Sequence, residues 1–243
     1  FCVGLVDDRK VMGGWFKPLA LAFCAAPILL LGAYDSNLSF PLFGLVQIPS
    51  LYLALVVFMI PITGNTINSI DVLNGVASGV VTIASFALAI SLFIMQNYEI
   101  GIVSLCLAFA SLGFYKYHKF PSKIFPGDSG ALVLGSTYGV IAIVGQVEVL
   151  AAIAILPAVI NSFLFLTSVK KIVEHREIKN PVLHTDDFKL KTTDDKTAPI
   201  TLVRLIVAKL PLSERQIGTE IFKLSIFCGI LAVITAFFME VKI

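Results

Sequence analysis

The chain has 243 residues, of which 57% are hydrophobic and only 14% are charged, with a mean hydropathy of +0.92. Soluble domains usually carry about 25% charged residues, so the composition argues against a soluble protein and indicates one that folds in a lipid bilayer. The net charge of +2 says nothing by itself about partners, and we expect no nucleic-acid binding. The cysteines are scattered, without a Cys-x-x-Cys pair or a disulfide framework.

Seven apolar stretches are long enough to cross a membrane as helices, since a crossing needs about 20 apolar residues. They are residues 18–34, 45–63, 76–95, 100–115, 130–147, 149–169 and 221–239. An apolar run from Phe1 also ends at Asp7-Asp8, which we interpret as the tail of a helix that begins upstream of this sequence. The sequence therefore predicts an all-α, polytopic membrane helix bundle, with residues 1–243 forming a single domain that lacks its first helices.

The basic residues lie almost entirely on one side of the predicted bundle. Of the 18 Lys and Arg residues, 17 fall in or beside the loops at 7–17, 64–75, 116–129 and 170–220, and only Lys242 falls on the other side. Cytoplasmic loops carry such an excess, so we expect this side to face the cytoplasm. The segment 170–220 is predicted to be a small α/β excursion, with a hairpin over 182–193 and a short helix on the membrane surface over 199–210.

Two polar clusters occur at helix ends on this basic side. Asp7 and Asp8 are adjacent carboxylates, which repel and often need a cation nearby, although a solvated helix end also explains them. Asn65, Asn68 and Asp71 recur at i, i+3 and i+6, which would place them on one helical face. Their oxygens suit a hard cation such as Mg²⁺, and a polar loop with helix caps is the alternative.

Two further clusters follow along the chain on the same side. Asp128 stands near the start of a predicted span, where it could cap the helix or lie beside backbone N–H groups that are open to a phosphate. The run 174–177 contains His175 and Arg176, and arginine is a preferred phosphate ligand, although short charged runs are more often solvated surface. His118 and His184 are interpreted as ordinary surface residues.

Three of these motifs together resemble one enzyme family. Asp7-Asp8, the Asn-x-x-Asn-x-x-Asp-x-x-Asn-Gly run that ends at Gly75, and Phe-Pro-Gly-Asp-Ser-Gly at 125–130 follow in the order typical of the polyprenyl-phosphate N-acetylhexosamine-1-phosphate transferases, a glycosyltransferase family 4-like group. A single His175 and the run 211–215 are most similar to its archaeal and eukaryotic dolichyl-phosphate branch. Glu174 departs from the Arg typical of the eukaryotic members, which puts one pyrophosphate contact in question.

The resemblance implies a reaction and its partners. It implies transfer of N-acetylglucosamine 1-phosphate from UDP-N-acetylglucosamine (UDP-GlcNAc) to a polyprenyl or dolichyl phosphate, as the first step of lipid-linked oligosaccharide synthesis for N-glycosylation. Mg²⁺ is the expected cofactor, with Mn²⁺ as an alternative. The site would lie at the cytoplasmic face of a multi-pass protein, in an archaeal plasma membrane rather than the endoplasmic reticulum, and a homodimer is left open.

Other functions remain open from the sequence alone. The same chemistry could use another UDP-N-acetylhexosamine or another polyprenol in cell-envelope glycan synthesis. A non-enzymatic transporter is the third alternative, but it would be expected to place polar residues near mid-membrane on broken helices. Here the polar clusters lie at one membrane edge, and the apolar spans themselves contain few polar residues, which favours an enzyme.

The resemblance also implies roles for the acidic and amide residues. Asn68 and Asp128 would contact the metal ion, and Asp71 would lie close to them. Asp7 or Asp8 would position or deprotonate the lipid phosphate, and the resemblance does not say which. We therefore expect these side chains, from three separate stretches, to meet around one centre.

The remaining predicted site residues would contact the nucleotide sugar. Phe125 would stack on the uracil ring, and Asn74 would form a hydrogen bond with it. Lys17 and Arg176 would bind the pyrophosphate, while His175 and Arg176 would face the amino sugar.

Overall fold

The computed structural model describes residues 1–10, 12–13, 15–41, 43–170 and 179–240. Its helices are α1 (Cys2–Arg9), α2 (Phe16–Phe23), α3 (Ala26–Leu31), α4 (Pro49–Ile70), α5 (Val76–Ile94), α6 (Tyr98–His118), α7 (Gly127–Val144), α8 (Glu148–Ala154), α9 (Leu156–Val169), α10 (Leu202–Ile206) and α11 (Glu214–Glu240). Its strands are β1 (Asn37–Phe40), β2 (Gly44–Gln47), β3 (Val182–His184) and β4 (Leu190–Thr192). The predicted polytopic, all-α membrane class is confirmed.

Within the described residues, five helices are long and apolar enough to cross a membrane, namely α4, α5, α6, α7 and α11. A sixth crossing results if α8 and α9 are one broken span, because they bend by 76° where they meet. Pro157 lies at the start of α9 and supplies a physical reason, since proline lacks the N–H of a continuing helix. The span predicted over 149–169 therefore consists of two helices that meet at a bend.

The first predicted crossing, residues 18–34, also differs from the structure. It is divided between two short helices, α2 and α3, and the second has a proline at its start and ends at Gly32. Gly32 has a φ of 60°, a left-handed conformation that commonly ends a helix. Residues 16–31 are consequently a shorter apolar helical segment rather than a full-length span.

The bounds of α4 and α11 also differ from the predicted spans, and α4 continues to Ile70 rather than ending near residue 63. α4 begins at Pro49 rather than near residue 45, because residues 44–47 pair as strand β2 with β1. α11 begins at Glu214 rather than 221, where Ser213 and Gln216 form a reciprocal cap. The Ser213 N–H donates to Gln216 Oε1 at 2.9 Å, and the Gln216 N–H faces Ser213 Oγ at 3.4 Å.

The central helix of the bundle is α5, which packs against α6 and α11. α4 and α7 lie side by side and approach closely because both present small residues. A Cβ added to Gly135 of α7 would lie 2.8 Å from Gly64 Cα of α4, so only glycine fits there. This approach brings the end of α4 and the start of α7 to the same end of the bundle.

Residues 179–213, which we call the cap, contain the predicted hairpin. β3 and β4 pair antiparallel, with Val182 opposite Thr192 and His184 opposite Leu190. The helix predicted over 199–210 is shorter, covering only α10, and its Leu202 and Val203 are buried rather than lying on a membrane surface.

Arg204 explains why the helix starts late. Its guanidinium donates to the carbonyl groups of Ala198 at 2.6 Å and Pro199 at 3.1 Å, which precede α10. It also donates to the carbonyl groups of Thr193 at 3.3 Å and Asp195 at 3.2 Å. These bonds hold the preceding loop in a non-helical conformation, and Thr201 caps α10 instead.

Candidate active site

Lys17 joins two carboxylates that come from distant parts of the chain. Its Nζ atom lies 2.9 Å from Asp7 Oδ2 and 2.8 Å from Asp128 Oδ2. The Lys17 and Asp7 side chains are only 8% and 3% exposed, and the Asp128 side chain is 24% exposed. Two carboxylates this close would repel without a cation between them, so the ammonium group is what allows α1 and α7 to meet here.

Asp8 caps the N-terminus of α7. Its Oδ1 accepts the Asp128 N–H at 2.9 Å, and its Oδ2 accepts the Ser129 N–H at 3.0 Å and the Ser129 hydroxyl at 2.5 Å. A carboxylate at this position satisfies unpaired amides and interacts favourably with the helix dipole. From the sequence, either Asp128 was predicted to cap this helix or the amides were predicted to be open to a phosphate. The structure gives the capping role to Asp8.

The close packing of α1 on α7 depends on Gly4. A Cβ added to Gly4 would lie 2.5 Å from Ser129 N and 2.7 Å from the Asp128 carbonyl carbon. No side chain fits in that space without moving one helix. Gly4 therefore sets the distance between the Asp7-Asp8 pair and Asp128.

The end of α4 brings Asn68 and Asp71 to the same place. The Asn68 side chain lies beside the Asp128 carboxylate. Asp71 lies just beyond α4, outside the spans on either side, and its Oδ1 is buried without a hydrogen bond in the described part of the chain. Burial, together with the nearby charge of Asp128, raises the pKa of Asp71 to about 7. The Asn65 side chain is bonded within its own helix, since its Nδ2 donates to the Pro61 carbonyl at 2.8 Å.

His118 is buried and lies between Asp71 and the predicted nucleotide-binding residues. Its side chain is 1% exposed, with Nε2 3.6 Å from Asp71 Oδ1 and Nδ1 3.0 Å from Ser78 Oγ. Its ring meets Phe125 edge-on, with 6.2 Å between the ring centroids. The interpretation of His118 as a surface residue was wrong. Its burial results from the packing of α6 on α5, which the local sequence does not indicate.

Of the residues predicted to bind the nucleotide, Phe125 and Asn74 lie within the described part of the chain. Phe125 is 72% exposed, so its ring is accessible to solvent, but it is not among the residues that line the cavity at this end of the bundle. Asn74 lies in the turn before α5, and its N–H donates to Glu214 Oε1 at 2.6 Å. Predicted residues His175 and Arg176 lie outside the described residues.

A cavity of about 1200 Å³ opens between this end of the bundle and the cap. Ligand-binding cavities usually measure about 300–1,000 Å³, so this one can accept a large substrate. Its bundle side includes Asp8, Lys17, Asn68, Asp71 and Asp128. Its lining also includes Lys179, His184 and Phe188 of the cap, and Glu214 and Arg215 at the start of α11. Glu214 and Arg215 belong to the run 211–215, which carries part of the family resemblance, but they were not predicted as site residues.

The oxygen donors at this site fit a divalent cation of the Mg²⁺ type. In the described ranges, no three His, Cys, Asp or Glu side chains are close enough to hold a metal ion by themselves. Mg²⁺, however, is usually bound through one or two carboxylates, with water and substrate phosphates completing its shell. Asn68 and Asp128 are neighbours, and within the described part of the chain the buried Asp71 Oδ1 has no hydrogen bond, with His118 Nε2 3.6 Å away, so this oxygen is available to a cation.

Together, the apolar spans and the buried acid and lysine cluster at one end define a multi-pass integral membrane protein with a polar site at the edge of its bundle. Residues 1–146 match the profile described as glycosyl transferase family 4, and the chain belongs to that family. Homologues in this family are phospho-sugar transferases, which supports the expectation of an enzyme.

Similar proteins come from archaea and bacteria. A Methanocaldococcus jannaschii protein, provisionally named a glycosyltransferase, is 30% identical over 233 residues, covering 96% of this chain and 72% of its own length. A Saccharolobus solfataricus protein, provisionally named a UDP-N-acetylglucosamine–dolichyl-phosphate N-acetylglucosaminephosphotransferase, is 28% identical over 167 residues, covering 68% and 52%. The phospho-N-acetylmuramoyl-pentapeptide-transferase of Clostridium botulinum is 42% identical over 93 residues, covering 38% and 29%.

Proposed function

We propose that this protein transfers N-acetylglucosamine 1-phosphate from UDP-GlcNAc to a polyprenyl phosphate of the dolichyl type. The products would be a lipid diphosphate bearing the sugar, and UMP, in the first step of lipid-linked oligosaccharide synthesis for N-glycosylation. The observation that carries the proposal is the position of Lys17 between Asp7 and Asp128, at the edge of an apolar bundle and on the wall of a large cavity.

The chemistry joins two anions. An oxygen of the lipid phosphate attacks the phosphorus that bears the sugar, and a new P–O bond forms. The bond from that phosphorus to the oxygen bridging it to UMP breaks, and UMP leaves with the electron pair. Such phosphoryl transfer needs in-line positioning and neutralised charge rather than covalent help from the protein.

The charged residues of the site would supply that neutralisation. The Lys17 ammonium would bind the pyrophosphate, held at the cavity wall by its two carboxylate partners. Asn68 and Asp128 would hold Mg²⁺, or Mn²⁺ in its place. When bound, the ion polarises the phosphoryl oxygens and offsets the charge that develops on them.

The two adjacent aspartates would act by positioning. Asp8 uses both oxygens to hold the start of α7, and so fixes the backbone of Asp128. Asp7 accepts the Met12 N–H at 3.0 Å and pairs with Lys17, and so fixes the ammonium. Within the described residues, the buried Asp71 Oδ1 lacks a hydrogen bond and belongs to a residue that lines the cavity, so we assign Asp71 a place beside the reacting phosphates.

The nucleotide would lie on the Asn74 side of the site. Phe125 would stack on uracil and Asn74 would hydrogen-bond it, while His175 and Arg176 would contact the amino sugar and the pyrophosphate. The basic loops support a cytoplasmic position for this end of the bundle, where a water-soluble nucleotide and a membrane lipid can meet. We propose an archaeal plasma membrane as the location.

A second candidate is the same reaction with another UDP-N-acetylhexosamine. It is favoured by the 42% identity over 93 residues to a transferase named for N-acetylmuramoyl pentapeptide. The two candidates share the pyrophosphate and uracil contacts and differ only in the sugar.

A substrate panel tests the proposal. Membranes containing the protein would receive polyprenyl phosphate, Mg²⁺ and, in parallel, UDP-GlcNAc, UDP-N-acetylgalactosamine or UDP-N-acetylmuramoyl pentapeptide. We expect UMP and a labelled lipid with UDP-GlcNAc, loss of both with EDTA, and recovery when Mg²⁺ is restored. Transfer from another UDP-sugar alone would support the second candidate, and no transfer from any of them would overturn both.

A further inference from the structure

The segment from Ser69 to Asn74 contains the last two residues of α4 and most of the turn that leads to α5, and it carries much of the proposed site. Asp71 lies within it, Asn68 immediately precedes it, and Asn74 ends it. Each end of this linker segment is hydrogen-bonded by a side chain from a helix that is distant in sequence. Neither of those side chains, Asn161 and Glu214, has a role in the reaction described above.

Asn161 of α9 holds the first end. It is 2% exposed, and its Nδ2 donates to the Ser69 carbonyl at 3.1 Å and to Ser69 Oγ at 3.2 Å. Its Oδ1 accepts the Leu202 N–H at 3.0 Å, at the start of α10 in the cap. The last carbonyl groups of a helix lack partners within it, so Asn161 satisfies one at the end of α4 and ties that end to the cap.

Glu214 of α11 holds the second end. Its Oε1 accepts the Asn74 N–H at 2.6 Å, across 140 residues of sequence. A hydrogen bond to an ionised carboxylate is roughly twice as strong as one between neutral groups. Glu214 also lies in the first turn of α11, where the helix dipole favours a negative charge. The turn that presents Asn74 therefore depends on a residue that follows the cap.

The cap and the linker segment are connected through the same face of α9. Ser168, two turns after Asn161, accepts the Ile200 N–H on its hydroxyl oxygen at 3.0 Å. The two α9 side chains together fix residues 200–202, and one of them also fixes Ser69. A displacement of the cap would consequently move the end of α4 that carries Asn68.

We propose that Asn161 and Glu214 are positioning residues that hold the two ends of the linker segment for the proposed transfer reaction. Asn161 fixes the end beside Asn68 and Asp71, where the phosphates react. Glu214 fixes the end at Asn74, where the nucleotide base binds. This inference rests on the proposed function, and it assigns the two residues to different kinetic steps.

The kinetic test uses this difference. Glu214→Ala is expected to raise the KM for UDP-GlcNAc about tenfold with kcat nearly unchanged, since one charge-assisted hydrogen bond is lost. Glu214→Gln keeps an oxygen acceptor and should restore the KM to within about threefold of wild type. Asn161→Ala is expected to lower kcat about tenfold with little change in KM, and Ser69→Ala, which removes one of its bonds, should do so more weakly.

Matched controls lie on the same two helices. Glu220→Ala removes an exposed acid of α11 that pairs with Lys223, three residues away. Thr167→Ala removes a hydroxyl of α9 that bonds within its own helix. Both should retain wild-type kinetics. Equal changes in kcat and KM in Glu214→Ala and Asn161→Ala, together with a lowered Tm, would indicate general destabilisation and overturn the inference.

Hydrogen exchange tests the same inference without the reaction. In Glu214→Ala and Asn161→Ala, the amides of residues 69–75 should exchange faster than in wild type, while those of α6 should not change. Unchanged exchange over 69–75 would overturn the inference even if activity fell. If the two variants exchanged faster but the wild-type protein transferred nothing from any UDP-sugar, the proposed function would be overturned. The holding contacts of Asn161 and Glu214 would still be supported.

Discussion

Lys17 and Asp128 are 111 residues apart in sequence, yet Lys17 Nζ lies 2.8 Å from Asp128 Oδ2. The same ammonium lies 2.9 Å from Asp7 Oδ2. One side chain thus joins the ends of α1, α2 and α7, and its charge offsets the repulsion between two largely buried carboxylates. The stability of this end of the bundle and the binding of an anionic substrate therefore depend on the same residue.

Replacement of Lys17 by methionine should damage both properties. Removing one member of a buried ion pair typically costs about 3–5 kcal/mol, because the remaining charge is left without a partner. We expect a lower Tm in detergent and a loss of UMP release of at least about a hundredfold. Lys196→Met, at an exposed position in the cap, is the control. A Lys17→Met protein with wild-type Tm and activity would contradict this role for the ion pairs.

Gly4→Ala should impair activity although it adds only one methyl group. The new Cβ would lie 2.5 Å from Ser129 N, so α1 must move away from α7 and carry Asp7 and Asp8 with it. Misplacement by about 1 Å can cost about a hundredfold in rate. Gly113→Ala in α6 has no atom within 4 Å of the added carbon and should be neutral in the same transfer assay. Equal activity of the two variants would show that α1 does not need this close contact.

Asp8→Ala should lower stability and kcat together. Loss of a helix-capping side chain costs about 0.5–2 kcal/mol, and the freed start of α7 would no longer fix Asp128. The measurements are the Tm and the rate of UMP release at saturating substrates. Asp187→Ala, in the exposed turn of the cap hairpin, provides a matched loss of one carboxylate. If Asp8→Ala behaved like Asp187→Ala, the capping contacts would have no role in activity.

Asp71 should make the stability of the protein depend on pH. Its pKa is raised from the usual acidic range to about 7, so the folded state binds more protons than the unfolded state between about pH 4 and pH 7. Stability should therefore fall as the pH rises through this window, and Asp71→Asn should show a smaller fall. Thermal unfolding at several pH values in EDTA, without nucleotide, measures the difference. Parallel pH profiles for the two proteins would mean that the Asp71 pKa is not raised.

The meeting of three distant motifs could be predicted because each has a recognisable pattern. The order of Asp7-Asp8, Asn68 and Asp128, together with the excess of basic residues on one side, places them at one membrane edge, and the structure brings them together. The division between Asp7 and Asp8 could not be predicted. It depends on which carboxylate reaches the backbone amides of α7, and that is set by the packing of Gly4 on Ser129.

Helix boundaries were predictable only where a local signal exists. The reciprocal cap of Ser213 and Gln216 is visible in the sequence and could have placed the start of α11 correctly. The late start of α10 is not visible, because Arg204 holds the preceding loop through carbonyl groups, which every residue carries. Asn161 was also missed, since a lone asparagine in an apolar helix gives no sign of its distant partners.

The most direct test of the account follows the phosphorus atom that bears the sugar. UDP-GlcNAc labelled with ³²P at that phosphorus would be incubated with polyprenyl phosphate, Mg²⁺ and either the wild-type protein or Asp128→Asn. We predict that wild type moves the label into the lipid and releases unlabelled UMP, and that Asp128→Asn does neither. Label retained in released UDP, or full transfer by Asp128→Asn, would contradict the account.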